Sequence, residues 1–210
     1  MLVPEPDCPL CPRLSAFRTE MRERFPDWHN APVPSFGSGD ARLLIVGLAP
    51  GLRGANRTGR PFTGDFAGDL LYRTLKLHGL AAGDYRRERD DGLRLLDCRI
   101  SNAVRCVPPA NRPTPAEVRT CGRFLAAEIA ALPRLRAVLA LGRVAHEAVL
   151  TVLGAARSAF PFAHGALHQP RAGLLLADSY HCSRQNTNTG RLTEAMFDAV
   201  FHQIAARLAG

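Results

Sequence analysis

The stretch LLIVGLAPGLRGANRTGRPFTGD, residues 43–65, decides how the whole chain is read. It opens as a short apolar strand, Leu43 to Val46, then breaks into a loop punctuated by Gly47, Pro50, Gly51, Gly54, Gly59, Pro61 and Gly64. Asn56, Arg57, Thr58, Arg60, Thr63 and Asp65 are threaded between these breakers. A buried strand that delivers a long Gly/Pro-rich loop is how open α/β sheets build a site at a strand's carboxyl end. Loops this long without structure of their own are usually functional or disordered, and the mix of apolar and charged residues here favours a site.

Working outward, the flanking chain alternates between strand and helix signals. Ala67 to His78 carries apolar residues at helical spacing and places a helix immediately beyond the loop. Leu95 to Val107 reads as a strand with Asn102 near its end, followed by a loop holding Pro108, Pro109, Asn111, Arg112 and Pro113. Thr114-Pro115-Ala116-Glu117 is a capping box with proline at the first helical position, starting a helix to about Leu132. Arg136 to Leu141 and Leu174 to Ala177 are two further buried strands, separated by a helix from Arg143 to Leu153. The polar loop DSYHCSRQNTNTG then leads to a closing helix, Leu192 to Leu208. Upstream, a helix is expected over Leu14 to Arg24, and Trp28 to Gly39 is a Pro/Gly/Ser-rich connection. Tyr85 to Asp91 (YRRERDD) reads as a solvated charged loop. The alternation predicts a three-layer α/β/α sandwich on a mainly parallel, four-stranded sheet.

With 210 residues and 46% hydrophobic content, the chain has the size and composition of one globular domain spanning 1–210. No apolar run reaches the length of a membrane span, and the start lacks a basic segment followed by an apolar one, so a soluble cytoplasmic protein is expected. The net charge is +8, and of the 27 basic residues only Lys76 is a lysine. Arginine suits planar, bidentate contact with phosphate, which favours a polyanionic partner.

Six cysteines form the second signal: Cys8, Cys11, Cys98, Cys106, Cys121 and Cys182. A cytoplasmic chain is not expected to hold structural disulfides, which leaves metal binding or simple burial. Cys8 and Cys11 form a C-x2-C pair, and Cys121 follows Cys106 on the face of a helix. Four thiolates from two separated segments suit either tetrahedral zinc or a [4Fe–4S] cluster. Cys98 reads as a core residue, and Cys182 lies in the last loop.

GLAPG at Gly47 to Gly51, RTGRPFTGD at Arg57 to Asp65, SNAVRC with NRPTP between Ser101 and Pro115, and HCSRQNTNTGRLT at His181 to Thr193 resemble the uracil-DNA glycosylase superfamily. The resemblance runs in order from Cys8 to the last helix and is nearest to the iron–sulfur enzymes of family five (type b). It implies a DNA-repair enzyme that flips uracil, with hypoxanthine or xanthine as further substrates, out of DNA and hydrolyses the N-glycosidic bond without lyase activity. It implies a [4Fe–4S] cluster on Cys8, Cys11, Cys106 and Cys121, in a lobe formed by these two segments. The partner would be DNA bearing a deaminated base, bound by a monomer associated with the nucleoid.

By the same resemblance, Phe62 would stack on the extruded base, Asn102 would read its Watson–Crick edge, and His181 would face O2. The backbone of Gly47, Leu48, Ala49 and Gly51 would wrap the base and a neighbouring phosphate, and Ser183 would hold a phosphate. Two departures matter. Many members place Asp or Asn where this chain has Ala49, and the branch has been proposed to use the acid of the TGD segment, here Asp65. That residue stands equally where an aspartate would cap the next helix. Relatives also carry an apolar wedge after the HPS-type motif, where this chain offers Arg184 or Gln185. Two other classes fit the cysteines and charge: a metal-stabilised nucleic-acid-binding module without catalysis, and an iron–sulfur redox protein.

Overall fold

In the computed structural model, which describes residues 1–209, the apolar run opening the decisive stretch is a strand, Leu43–Gly47, buried at every position. Its side chains serve two cores alternately. Leu43 and Ile45 face one, and Leu44 and Val46 face the other. A strand covered on both faces has no polar side, which is why it reads as continuous apolar sequence.

Among the described residues, eight strands are numbered along the chain: β1 (Phe36–Gly37), β2 (Leu43–Gly47), β3 (Ala81–Ala82), β4 (Arg94–Leu95), β5 (Cys98–Asn102), β6 (Ala137–Leu141), β7 (Leu167–Arg171) and β8 (Leu174–Ser179). Six form the main sheet in the order β1-β5-β2-β6-β8-β7. The central four, β5, β2, β6 and β8, are parallel and correspond to the four expected strands. The sheet is six-stranded rather than four because β1 and β7 add antiparallel edges. Neither edge carries a readable pattern: β1 is two residues long, and β7 is part-exposed, contains Pro170 and has a register irregularity. Short, proline-bearing edge strands resist further pairing, and the same features hide them in a sequence.

The segment Leu95 to Val107, expected as one strand, is divided. β4 pairs with β3 in a separate two-stranded ladder, Asp97 takes a positive φ of 53°, and β5 ends at Asn102. Seven α-helices complete the described chain: α1 (Pro12–Arg24), α2 (Ala55–Thr58), α3 (Phe66–Leu77), α4 (Pro115–Ala130), α5 (Arg143–Val152), α6 (Arg184–Asn188) and α7 (Glu194–Ala209). α3 and α7 bury Leu71, Leu75, Phe197 and Phe201 against one sheet face. α4 and α5 bury Leu125, Ile129, Val149 and Leu150 against the other. α4 begins as its sequence requires: Thr114 Oγ1 accepts from the Glu117 N–H at 3.2 Å, and Glu117 Oε2 accepts from the Thr114 N–H at 2.7 Å. Such a cap stabilises a helix by about 1 kcal/mol.

α1 lies away from the two sheet cores. Its Leu14 packs with Val104, Cys106, Cys121 and Phe124 in a third, smaller cluster that also takes in Cys8 and Cys11.

Candidate active site

At the carboxyl ends of the parallel strands the chain opens a cleft of about 700 Å³. Three distant segments converge there. Phe62 comes from the loop after β2, Asn102 is the last residue of β5, and His181 follows β8. The Phe62 and His181 rings lie 5.7 Å apart at 26° to one another. Leu48, Ala49, Gly51, Asp65, Ser183 and Arg184 line the same space, so each of these expected site residues reaches it. Gly47, also expected in the site, does not line the cleft but packs behind two residues that do: a Cβ there would stand 2.5 Å from Asn102 Oδ1 and 2.6 Å from Phe62 Cζ. Only glycine leaves room for both side chains at that strand end.

Phe62 is held in a strained backbone conformation with φ of 52°, uncommon for a bulky residue and characteristic of functional positions. The surrounding loop over-determines it. Its carbonyl accepts from Tyr85 Oη at 3.2 Å, and the first turn of α3 approaches so closely that only Gly68 fits beneath that carbonyl. The polar residues threaded through the opening stretch prove to be mostly internal struts. Arg60 is 4% exposed and forms a bidentate pair with Asp91 at 2.8 and 2.7 Å, while its Nε donates to Thr63 Oγ1 at 2.8 Å. Asn56 and Thr58 are likewise buried, with Asn56 Nδ2 donating to Asn30 Oδ1 at 2.8 Å.

The YRRERDD segment is therefore not simply a solvated loop. Asp91 is buried beneath the site loop; burial alone would raise its carboxyl, but hydrogen bonds from Arg60 and the backbone N–H groups of Arg86 and Leu93 hold it near about 2. Sequence reading missed this because the partners lie far apart and their charges resemble surface charges.

Asp65 occupies the position before α3, where its side chain stands near the Ala67 and Gly68 N–H groups without forming a capping hydrogen bond of normal geometry. Oδ1 is buried without a partner, and Oδ2 would crowd a Cβ at Gly51 or Gly54. Burial pushes its carboxyl above the usual carboxylate range, and the backbone N–H groups of Gly68 and Ala67 offset this only in part. A buried, unsatisfied oxygen lining a cleft is a group prepared for a ligand or water.

His181 has its imidazole pushed down to about 4 by burial, so it is neutral near neutral pH. Its carbonyl accepts from Asn186 Nδ2 at 2.8 Å, and Ser183 Oγ accepts from the Asn186 N–H at 3.4 Å, which ties the loop into α6. Upstream, the buried end of β8 is anchored by Asp178, which pairs with His146 Nδ1 at 2.7 Å and His168 Nε2 at 3.1 Å. His146 also donates through Nε2 to the Phe160 carbonyl at 2.8 Å. Burial opposes a charge on His146, but Asp178 and that carbonyl outweigh it and raise its imidazole above the ordinary value. Arg184 is exposed, with its guanidinium 5.4 Å from the Phe66 ring centre.

Ala110, Asn111 and Arg112, in the proline-rich loop after β5, form a further wall of the cleft. Ala110 and Asn111 both have positive φ, 52° and 55°. Arg13 braces this wall from α1, binding both Glu117 oxygens and donating to the Arg112 carbonyl at 3.1 Å. The signal available in the sequence was the asparagine set between prolines five positions after Cys106.

That wall hangs between two of the cysteines. Cys8, Cys11, Cys106 and Cys121 line one small cavity behind it, and all six cysteines are free thiols. Among the described residues, no three of these sulfurs lie within 4.8 Å of one another. Cys98 is core, its Sγ donating to the Leu80 carbonyl at 3.2 Å, and Cys182 is fully buried beneath the last loop.

A doubly covered α/β sheet with a stacking aromatic, an amide and a neutral histidine at the strands' carboxyl ends defines a class that the family comparison makes specific. The profile described as Uracil DNA glycosylase superfamily matches residues 34–205, and the chain belongs to that family. Its relatives over nearly the full chain carry the type-5 designation. A "Type-5 uracil-DNA glycosylase" of Thermus thermophilus is 50% identical over 209 residues, 97% of this chain and 94% of that protein. One of Mycobacterium tuberculosis is 46% identical, covering 97% and 78% respectively. A "Type-4 uracil-DNA glycosylase" of Archaeoglobus fulgidus is 38% identical over 121 residues, 57% of this chain.

Proposed function

We propose that this chain is a monofunctional DNA glycosylase that removes uracil, and deaminated purines such as hypoxanthine and xanthine, from DNA and leaves an abasic site. The convergence of Phe62, Asn102 and His181 on one cleft carries this reading. A base inside a duplex is unreachable, so it is flipped into such a pocket at a cost of a few kcal/mol. Phe62 stacks on it. Asn102 donates through its amide N–H to O4 of uracil and accepts from N3–H through its carbonyl oxygen. Cytosine presents the opposite donor and acceptor pattern and is refused.

As the C1′–N1 bond of uracil breaks, its electron pair leaves with the base and negative charge gathers at O2. Fixed donors aimed where charge develops are the main source of rate. Neutral His181 donates one N–H there without needing to lose a charge first. Water adds to C1′ of the sugar cation, and its proton passes to the Asp65 carboxylate, whose buried Oδ1 has no other partner. No amine attacks the sugar: Lys76, the one lysine, lies ten residues along α3 from Phe66, about 15 Å away at helical rise. The backbone of Gly47 to Gly51 wraps the base, Ser183 takes a flanking phosphate, and Arg184 or Gln185 fills the gap in the stack. The exposed arginines and the +8 net charge supply sequence-independent attraction to DNA.

The four-cysteine cavity fits a [4Fe–4S] cluster better than a zinc ion. Bonds of about 2.3 Å to one tetrahedral ion would draw the sulfurs to about 3.8 Å from one another. A [4Fe–4S] cluster is held by four cysteine thiolates, the donor set these two segments supply. Cys8, Cys11, Cys106 and Cys121 would hold it, and when bound it would supply a cross-link between the α1 segment and the Pro108–Pro113 wall. We read residues 1–210 as one catalytic domain with this lobe attached, acting as a monomer on cytoplasmic DNA.

Purified protein incubated with duplexes holding a single uracil, hypoxanthine or xanthine should yield alkali-labile strands at each lesion, and none at thymine. Intact strands at every lesion would overturn the reading. Asp65→Asn separates the cap from the water-binding role. A raised carboxyl pKa contributes stability below its ordinary value of 3.8 that is lost as pH rises through the folded value. At neutral pH the amide should therefore match or exceed the parent's melting temperature, while single-turnover excision falls by about 10²-fold. Equal excision rates would return Asp65 to a structural role.

A further inference from the structure

We propose that Arg18 is the counter-charge of the metal centre on Cys8, Cys11, Cys106 and Cys121, a positioning residue that ties the two cysteine segments together and raises the centre's reduction potential. This rests on the cluster reading above. Arg18 sits on α1 and is only 3% exposed. A guanidinium taken out of water is strongly disfavoured unless an anion meets it. Among the described residues no carboxylate pairs with Arg18, and its Nε has no hydrogen-bond partner at all. Its contacts belong instead to the thiol cavity. Nη1 donates to Cys106 Sγ at 3.7 Å, while Nη2 donates to the Cys8 carbonyl and to Ser15 Oγ, both at 3.1 Å. One side chain thus bridges the segment of the first cysteine pair and that of the second.

The neighbouring charges point the same way. Arg99 and Arg105 both donate to Glu128, each at 2.6 Å, and the Arg105 backbone N–H donates to Cys121 Sγ at 3.3 Å. Arg105 Nε is also buried without a partner. Arg13 is matched by Glu117. Arg99 and Arg105 therefore share one carboxylate and Arg18 has none, so the three arginines carry two positive charges that no carboxylate answers. Neutral thiols would not repay that arrangement; a set of thiolates around a metal centre would. A fixed positive charge and an N–H···S contact both favour the state with the additional electron, so they raise the potential.

Iron and acid-labile sulfide are measured first on wild type, Arg18→Lys and Arg18→Met, followed by a dye-mediated titration with dithionite and the rate of iron loss to a chelator. Arg18→Met should have a lower midpoint potential and release iron faster than wild type, or fail to retain iron, whereas Arg18→Lys should recover most of the difference. An unmoved potential with unchanged chelator resistance in Arg18→Met would overturn the inference, as would equal defects in both variants, since shape rather than charge would then be responsible. Wild-type protein purified without iron would sink the cluster reading and this inference together, whereas iron-bearing protein with an unmoved potential sinks this inference alone.

Discussion

Replacing His181 with alanine should slow single-turnover uracil excision by about 10²–10³-fold, the usual consequence of removing one donor from a developing oxyanion. The ring is placed by its own backbone, through the Asn186 contact to its carbonyl and the Ser183 cap of α6, rather than by a partner of the imidazole. Alanine leaves both devices intact, so the melting temperature and binding of uracil-containing duplex should change little. The loss should fall on the chemical step and not on affinity. The imidazole titrates near 4, so the activity that depends on it should not decline as pH is lowered from neutral until that region is approached. A His181→Ala protein within tenfold of wild type would remove the histidine from the mechanism.

Gly47→Ala should be comparably damaging through geometry alone. The added methyl would stand 2.5 Å from Asn102 Oδ1 and 2.6 Å from the Phe62 ring, both too close for nonbonded atoms. Asn102 closes β5 in register with Gly47 and Phe62 sits in a loop fixed at positive φ, so both side chains could give way only by moving into the cleft itself. Overpacking of this kind destabilises by about 1–3 kcal/mol. A base stacked on an aromatic ring is worth roughly 1–3 kcal/mol by itself. Displacing the base reader and its stacking platform together should therefore lower excision by about 10²-fold or more. The effect should appear in both affinity and rate, unlike that of His181→Ala. Near-normal excision by Gly47→Ala would show that the base does not depend on the positions of Asn102 and Phe62.

The stretch from Leu43 to Asp65 shows what a sequence makes legible. Its apolar opening and its breakers identified a strand end with a loop, and the structure puts the cleft there. The other central strands were readable for the same reason, because burial on both faces leaves an unbroken apolar run. The Thr114–Glu117 cap was readable because all its partners lie within one helical turn. The edge strands were not. Two residues at Phe36–Gly37 and a proline-bearing strand at Leu167–Arg171 carry no period, and only pairing with β5 and β8 makes them strands.

The sequence by itself determined the doubly covered α/β sheet, the strand-end position of the site, the two cysteine segments and, through its motifs, the superfamily. These depend on local spacing and on residues adjacent along the chain. Tertiary structure decided what stands beside what. It brought Phe62, Asn102 and His181 to one cleft, made Arg60 of the polar loop the buried partner of Asp91, and added Asn111 and Arg112 as a wall. It also left one oxygen of Asp65 without a hydrogen bond. The physical reason is common to all four: a side chain's role depends on its desolvation and on the partner that meets it, and both are set by residues remote in sequence.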